Sequence, residues 1–575
     1  MTTPRLVPMV ALLAIACGQS SGSHPDGKGG TGAGGTSSGS GGVMTAPAGG
    51  SGASGSGGAS GSGASAAATG GSSGASSGGA AAGGDSGASS GAAGASAGNA
   101  MAGAAAGGSA GGSGGNAGEQ GQSGMGGAAC TTLPAGPIAA SDIIQFNDNG
   151  GWCWYQDERA LVDTKAGKFV IGSVASTGNG GRDSDQEVVV YDIATGNKQR
   201  STLETDLNVD DHNAPAFFLR PDGGYAALWA THRDTCFSYY STFDGTAWAP
   251  YKKYDWTPNG CPWDAAANPS PPHAVTYANP WYLSAENKAY ASVRSVSTSP
   301  ALLVSSDAGS SWNFSGRLTA TTTVGYVAGY YKYWGNGTDR IDFFATENHP
   351  RDQNNSLWHG YYQDNAFHDS KGEVIDSKAN DTEAKDIGSY TKVFGTGTML
   401  NGVKLCRMWN HDIVRYADGT IAATGQGRTE QCDSTTQYSD PDKRIIYSRW
   451  DGMEWKSTYL VKAGPKLYKD EEDYTGLSAV HPDNPNVIFV STTIDPRDDK
   501  TDLKVHEIFM GVTCDNGATW KWSPITQGSS VHNIRPIVPK WDASHTLLLW
   551  LRGSYTSAQR YDLEVVGTTA LSTEK

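Results

Sequence analysis

Four side chains in one stretch of this chain have the chemistry for proton transfer beside a carboxylate. The tract Asp210-Asp211-His212-Asn213 opens it, His232 follows, and Tyr277 and Arg294 close it. Histidine titrates near neutrality, so His212 suits proton abstraction, with Asp211 placed to hold the imidazole in the right tautomer. A tyrosine, with an ordinary pKa of about 10, can return a proton to a departing oxygen. Arg294 can grip a carboxylate with two parallel N–H bonds, and His232 can add another donor as negative charge develops. A nearby cation that made Tyr277 more acidic would exchange the roles, with Tyr277 as the base, and both assignments stay open at the level of sequence.

Such groups need rigid elements to aim them. The body of the chain alternates apolar β-rich runs with Gly, Asp, Asn and Pro turns. Ala216-Phe217-Phe218-Leu219 followed by Pro221-Asp222-Gly223 is one example, and Leu547-Leu548-Leu549-Trp550 is another such run. No long amphipathic helix interrupts them. Ser305-x-Asp307-x-Gly309-x-x-Trp312 and Thr513-x-Asp515-x-Gly517-x-x-Trp520 repeat an Asp-box pattern, in which Asp and Gly make a turn and Trp packs back. Looser copies end at Trp248 and Trp455. Taken as outer hairpins, these set seven units at roughly 156–203, 211–258, 273–319, 323–376, 408–461, 473–526 and 531–567.

The fold class is therefore all-β, a seven-bladed β-propeller of four-stranded blades, with Ile143-Ile144-Gln145-Phe146 lending a strand to the last blade. In this geometry the entry to each inner strand faces the central channel at one end. That end collects Gln156, Asp157 and Arg159; Asp211, His212 and Asn213; His273 and Tyr277; Asn410, His411 and Asp412; Tyr474 and Thr475; and His532, Asn533 and Arg535. Asp211, Asn213, His411, Tyr474, Asn533 and Arg535 are the expected substrate-binding residues around the four catalytic candidates.

Composition divides the 575 residues into three parts. Residues 1–16 read as an export signal, with Arg5 before an apolar run, and Ala14-Ile15-Ala16-Cys17 fits a lipobox, so Cys17 is the expected lipidation site. Residues 17–129 are nearly all Gly, Ser and Ala, too polar to bury a core, and read as a disordered tether spanning roughly 55–65 Å. Residues 130–575 form the propeller. Gly18 after Cys17 favours an outer-membrane or cell-surface location, with membrane contact only through the lipid anchor.

The net charge of −15 argues against a nucleic-acid partner, whose binding needs a basic field. It does not disfavour an acidic polysaccharide, since one arginine in a cleft can hold a carboxylate. Export permits disulfides among Cys130, Cys153, Cys236, Cys261, Cys406, Cys432 and Cys514, with Cys236/Cys261 and Cys406/Cys432 each within one unit. A structural His/Cys zinc site is the competing account, although no tight C-x-x-C is present. Asp470-Glu471-Glu472-Asp473 reads as a solvated charge run, with calcium as its alternative. The chemistry itself needs no cofactor. A monomer is expected.

The Asp boxes, Gly151-Trp152-Cys153-Trp154-Tyr155-Gln156-Asp157-Glu158-Arg159-Ala160, Asp210-Asp211-His212-Asn213 and Leu549-Trp550-Leu551-Arg552-Gly553 together resemble the BNR-repeat propellers that include ulvan lyases. The resemblance covers the body and none of the tether. It implies that His212 and Tyr277 handle protons while His232 and Arg294 attend a uronate carboxylate, in β-elimination on a uronate-containing, rhamnose-rich polysaccharide. The chain departs from the pattern at Tyr277-Ala278-Asn279-Pro280, where proline should follow the tyrosine sooner, and at Ser295, where glycine should follow Arg294. Related propellers include α-L-rhamnosidases, so a hydrolase is the second reading, and a non-catalytic glycan-binding propeller on the cell surface the third. A sialidase fits less well, because no arginine triad occupies the entry positions.

Overall fold

The computed structural model describes residues 130–571 except 177–180, 206, 260, 262–274, 297–298, 321–328, 352, 431, 434–441 and 470. The expected export signal, Cys17 and the Gly/Ser/Ala tract lie outside the described residues, as do His273 and Asp470.

Seven antiparallel sheets follow one another along the chain and form a seven-bladed β-propeller. The first six span 160–204, 216–255, 276–317, 331–394, 398–462 and 478–524. The seventh takes its three inner strands from 532–568 and its outermost strand from Ile144–Asn147, which pairs with Arg560–Thr568. The ring is thus closed by hydrogen bonds between the two ends of the folded body, as the Ile143–Phe146 pattern predicts. Radial repetition leaves each blade only short edges, with the inner ones protected around the axis.

Burial falls from the axis outward for a plain reason. Inner strands are covered on both faces by neighbouring blades, so Tyr225–Ala230 is buried at every position, whereas the outer strand Lys198–Glu204 carries Lys198 and Arg200 into solvent. Charged outer strands also discourage edge-to-edge pairing between molecules.

Two blades exceed the expected four strands. The fourth has six and the fifth has five, because the connection between them is not a plain loop. In the fourth blade Leu357–Gln363 pairs at one end with Ala366–Asp369 and at the other with Thr391–Phe394, so two short segments share one outer position. The fifth blade gains Thr398–Leu400 in a short hairpin with Val403–Arg415. Short strands rich in Thr, Lys and Asp carry too little apolar alternation to be read as strands from sequence.

The two Asp-box turns have the same geometry. Ser305 Oγ donates to Asp307 at 2.7 Å and accepts Gly309 N–H at 2.8 Å; Thr513 Oγ1 does the same with Asp515 and Gly517, at 2.7 and 2.8 Å. Each links the third strand of its blade to the fourth.

Among the described residues three disulfides are formed, Cys236–Cys261, Cys406–Cys432 and Cys130–Cys514, leaving Cys153 as a buried thiol. The zinc alternative therefore loses six of its seven cysteine candidates. Cys130–Cys514 fastens the segment leading to the closing strand onto the sixth blade. There Asn484 donates to Thr131 Oγ1 at 2.9 Å, Ser523 Oγ to Pro134 O at 2.7 Å and Ile138 N–H to Ile525 O at 3.1 Å.

Candidate active site

The cluster is assembled from corresponding ends of adjacent blades. Asp211–Asn213 is a single 3-10 turn leading into the inner strand of the second blade, and Asp210 caps it by accepting His212 N–H at 3.0 Å. His232 lies just beyond the second strand of that blade, Tyr225–Ala230. Tyr277 opens the inner strand of the third blade, and Arg294 lies on the strand beside it, in register with Thr276.

Tyr277 has a φ of 67° at a register shift between Thr276 and Asn279. A left-handed backbone at a non-glycine residue costs about 1–3 kcal/mol and re-aims the side chain, which is how bulges are used at binding sites. Here it lays the phenol ring against its neighbours in the cluster.

The histidines are organised by one carboxylate. Asp210 Oδ1 meets His212 Nδ1 at 2.6 Å, and Asp210 Oδ2 meets His232 Nδ1 at 2.9 Å. The two imidazoles stack with centroids 3.8 Å apart and planes 12° apart. Asp211 Oδ1 also lies 2.8 Å from His212 Nδ1, but the hydrogen bond to that nitrogen is made by Asp210, so Asp210 orients the ring and Asp211 adds negative charge beside it. Gln559 from the seventh blade donates to Asp210 Oδ2.

Charge differs sharply between the two rings. Burial works against protonation of His212, but Cys153, Asp210 and Asp211 around it more than compensate and hold its pKa well above 6.5. His232 is shifted below 6.5 by burial and by His212, despite Asp210. Asp210 lies well below the usual carboxylate range: burial would raise it, and the two imidazoles outweigh that. Near neutrality His212 is a cation and His232 a neutral ring, which is also the more exposed of the two at 24 % against 4 %.

Tyr277 and Arg294 complete the group. The Tyr277 ring lies 5.6 Å from His212, and the Arg294 guanidinium sits 4.7 Å from the centre of Tyr277 and 5.7 Å from that of Tyr330. Cation–π contact with two rings stabilises the buried guanidinium. Tyr330 in turn packs edge-on to His349 at 5.0 Å, and both contact Trp409. Burial, Arg351 and Arg294 hold His349 well below 6.5, so it is neutral.

Tyr330 and His349 are not singled out by sequence. Their signal is positional: Tyr330 precedes the inner strand of the fourth blade much as Tyr277 opens that of the third, and His349 follows a second strand as His232 does.

The expected substrate-binding residues divide. Asp211 and Arg535 lie directly beneath His212, with Arg535 Nη1 donating to Asp211 Oδ2 at 2.5 Å, Tyr555 OH to the same oxygen at 2.8 Å, and Arg535 stacked 4.4 Å from the Tyr555 ring. Tyr474 joins the aromatic floor, 5.0 Å from Trp154. Asn213 turns back to Asn208. Asn533 is buried, accepting from Trp550 Nε1 at 2.8 Å and donating to Ser529 Oγ at 2.9 Å. His411 bonds Ser478 Oγ at 2.9 Å and lines the channel with Asp157, Lys332 and Asp412. The entry positions thus do not all converge on one funnel: a strand sends alternate side chains to opposite faces, and bulges shift that alternation.

The charge run is not simply solvated. Glu471 and Asp473 are buried and engaged by Arg351 at 2.8 Å and by a bidentate Arg428 at 2.8 and 2.5 Å. Among the described residues, two groups of side chains have the donor set for a metal such as zinc, Cys153/Asp211/His212 and Asp210/His212/His232, each with ligand atoms within 4.8 Å. Both depend on His212, whose Nδ1 already faces the two aspartates.

No family model matches the chain, and no curated protein matches its sequence. In fold it is similar to an ulvan lyase described as a new family of polysaccharide lyase and solved bound to -[GlcA(1-4)Rha3S]-, with a TM-score of 0.52, 11% identity, and coverage of 74% of this chain and 95% of that one. The ligand-free ulvan lyase structure gives the same values. An α-L-arabinanase from Penicillium chrysogenum with arabinobiose matches at a TM-score of 0.37 and 11% identity, over 62% and 92% of the two chains. The likeness to the ulvan lyase is a likeness of fold.

Proposed function

We propose that the chain is a polysaccharide lyase that cleaves a uronate-containing, ulvan-like glycan by β-elimination. The observation that carries this reading is the pairing, through Asp210, of a cationic and a neutral histidine next to Tyr277 and Arg294. Elimination at a uronate needs a base for the C5 proton, positive charge at the carboxylate as enolate character develops, and a proton for the O4 leaving group. His232 Nε2 is the base: its Nδ1 faces Asp210 and its ring is neutral. The C5–H electron pair becomes the C4–C5 double bond as the C4–O bond breaks, and the Tyr277 hydroxyl protonates the departing oxygen. Arg294 and the His212 imidazolium neutralise the carboxylate.

This exchanges the two histidines relative to the roles implied by resemblance. The reason is that Cys153, Asp210 and Asp211 together outweigh burial at His212, whereas at His232 burial and the neighbouring His212 outweigh Asp210. A hydrolase would need a pair of carboxyl groups flanking the scissile bond. Asp210 and Asp211 are instead occupied by histidines, Arg535 and Tyr555.

The test follows ultraviolet absorbance of unsaturated uronate and released reducing ends together, on ulvan and other glucuronate-bearing glycans. The two signals should rise in parallel. Reducing ends without absorbance would mean hydrolysis, and binding with neither signal would mean a lectin.

A further inference from the structure

The inner strands have a second end, and it forms a different concavity. His212, Tyr277 and Tyr330 precede or open inner strands, whereas Trp281 and Trp334 lie toward the C-terminal ends of Thr276–Leu283 and Tyr331–Gly335. There a groove of about 750 Å³ runs across the first four blades and the seventh, within the range of about 300–1,000 Å³ usual for ligand clefts. The proposed catalytic residues take no part in it.

Its lining pairs aromatic surface with exposed positive charge. Trp281, Tyr282, Trp334 and Trp541 form the walls. Trp541 is held by an edge contact to Phe169 at 5.1 Å and by stacking on His545 at 4.8 Å, and it stays partly exposed. Trp281 is buried, and its Nε1 has no hydrogen-bond partner among the described residues. Lys165 and Lys540 stand exposed at the rim, and neither belongs to an ion pair among the described residues.

Asp483 offsets part of the Lys540 charge, being raised by burial and drawn back down by Lys540, and Asp542 is paired with His545 at 2.9 Å, while the acidic groups lining the groove add little. Asp163 is buried, accepting from Tyr225 OH at 3.0 Å and from Ala166 N–H at 2.9 Å. Glu158, on the floor, is pushed up to about 8 by burial and then by Asp157 and Asp412, so it is largely neutral at pH 7. Flat aromatic faces suit the C–H faces of pyranose rings, and the lysines suit carboxylate or sulfate groups along a chain.

We propose that this groove is a second, non-catalytic binding site for an acidic glycan chain, with sugar rings on Trp541 and Tyr282 and anionic groups on Lys165 and Lys540. It lets the molecule hold polymer on one end of the propeller while short segments are handled at the other. The proposal rests on the lining residues and goes beyond the elimination chemistry, so binding is measured apart from turnover.

The experiment uses the full chain in native gels containing ulvan or polygalacturonate, with neutral xyloglucan for comparison. Wild type should be retarded by the acidic polymers and not by xyloglucan. Trp541→Ala and the double substitution Lys165→Ala/Lys540→Ala should each weaken retardation by about tenfold in apparent Kd, while any turnover of short oligosaccharides is unchanged. Because Trp541 packs on Phe169, the exposed lysine pair serves as the variant that cannot fail through folding. Unchanged retardation in the lysine variant, no retardation by either acidic polymer, or equal retardation by xyloglucan would overturn the proposal. Retardation that depends on the groove without any turnover would sink the lyase reading and keep this one.

Discussion

Asp210 controls two titrations at once, since one carboxylate faces the Nδ1 atoms of His212 and His232. Asp210→Asn keeps the shape and removes the charge, so turnover should fall about 100- to 10,000-fold with an unchanged circular dichroism spectrum. The pH profile of kcat/KM should be bell-shaped. His232 must be neutral, and its pKa lies below 6.5, so activity is lost only as pH falls below that value. His212 must stay protonated, and its pKa is well above 6.5, so the alkaline limb lies well above 6.5. In Asp210→Asn the alkaline limb should move to lower pH, because the imidazolium loses one of its two carboxylates. Stability carries its own sign: Asp210 is depressed in the folded state, so its contribution is present above 3.8 and lost as pH falls through the lower folded value. Arg294→Lys keeps the charge but loses the planar fork and the contact with two rings, and should raise KM more than it lowers kcat.

At the scale of elements, the outer turns illustrate how local chemistry sets blade geometry. Gly309 has a φ of +87°, and a Cβ there would lie 2.9 Å from both Ala226 Cβ and Phe218 Cζ of the preceding blade. Gly309→Ala should therefore destabilise by about 1–3 kcal/mol in urea unfolding, from backbone strain and overpacking together. This turn lies at the outer edge of the third blade, remote from the His212 cluster, so activity per folded molecule should not change. A loss of kcat at equal folded fraction would show that the turn also positions the site.

The whole molecule depends on closure of the ring. Ile144–Asn147 completes the seventh blade, and Cys130–Cys514 ties its approach to the sixth across 384 residues of sequence. Closing a loop of that length removes much entropy from the unfolded chain, so Cys130→Ser should cost about 2–5 kcal/mol and lower Tm. A reducing agent opens all three disulfides, so it should lower the Tm of wild type at least as far as Cys130→Ser does and have a smaller effect on the variant. Gln559, Arg535 and Tyr555 all come from the seventh blade, and they bond Asp210 or Asp211. Loosening closure should therefore reduce activity before the blades themselves unfold, which hydrogen exchange alongside rate measurements would detect.

Sequence alone was enough for the features that are local or periodic. The Asp-box turns, the seven-unit spacing, the closing strand and the Cys236–Cys261 and Cys406–Cys432 pairs all depend on residues near one another or on a regular repeat. So does the placing of His212, His232, Tyr277 and Arg294 at like ends of neighbouring blades, since a propeller converts period into position. Ring closure and side-chain direction decided the rest. Asp210 reaching across to His232, Tyr330 and His349 joining the cluster, and Cys130 meeting Cys514 are contacts that no periodicity encodes. His411 and Asn533 share the entry position of their relatives but bond elsewhere, because strand alternation and bulges set which face a side chain meets. The same limit applies to the charges: Asp210 and Asp211 stand beside His212 in the sequence, but the burial of both rings, the nearness of Cys153 to His212 and the reach of Asp210 to His232 come only with the folded chain.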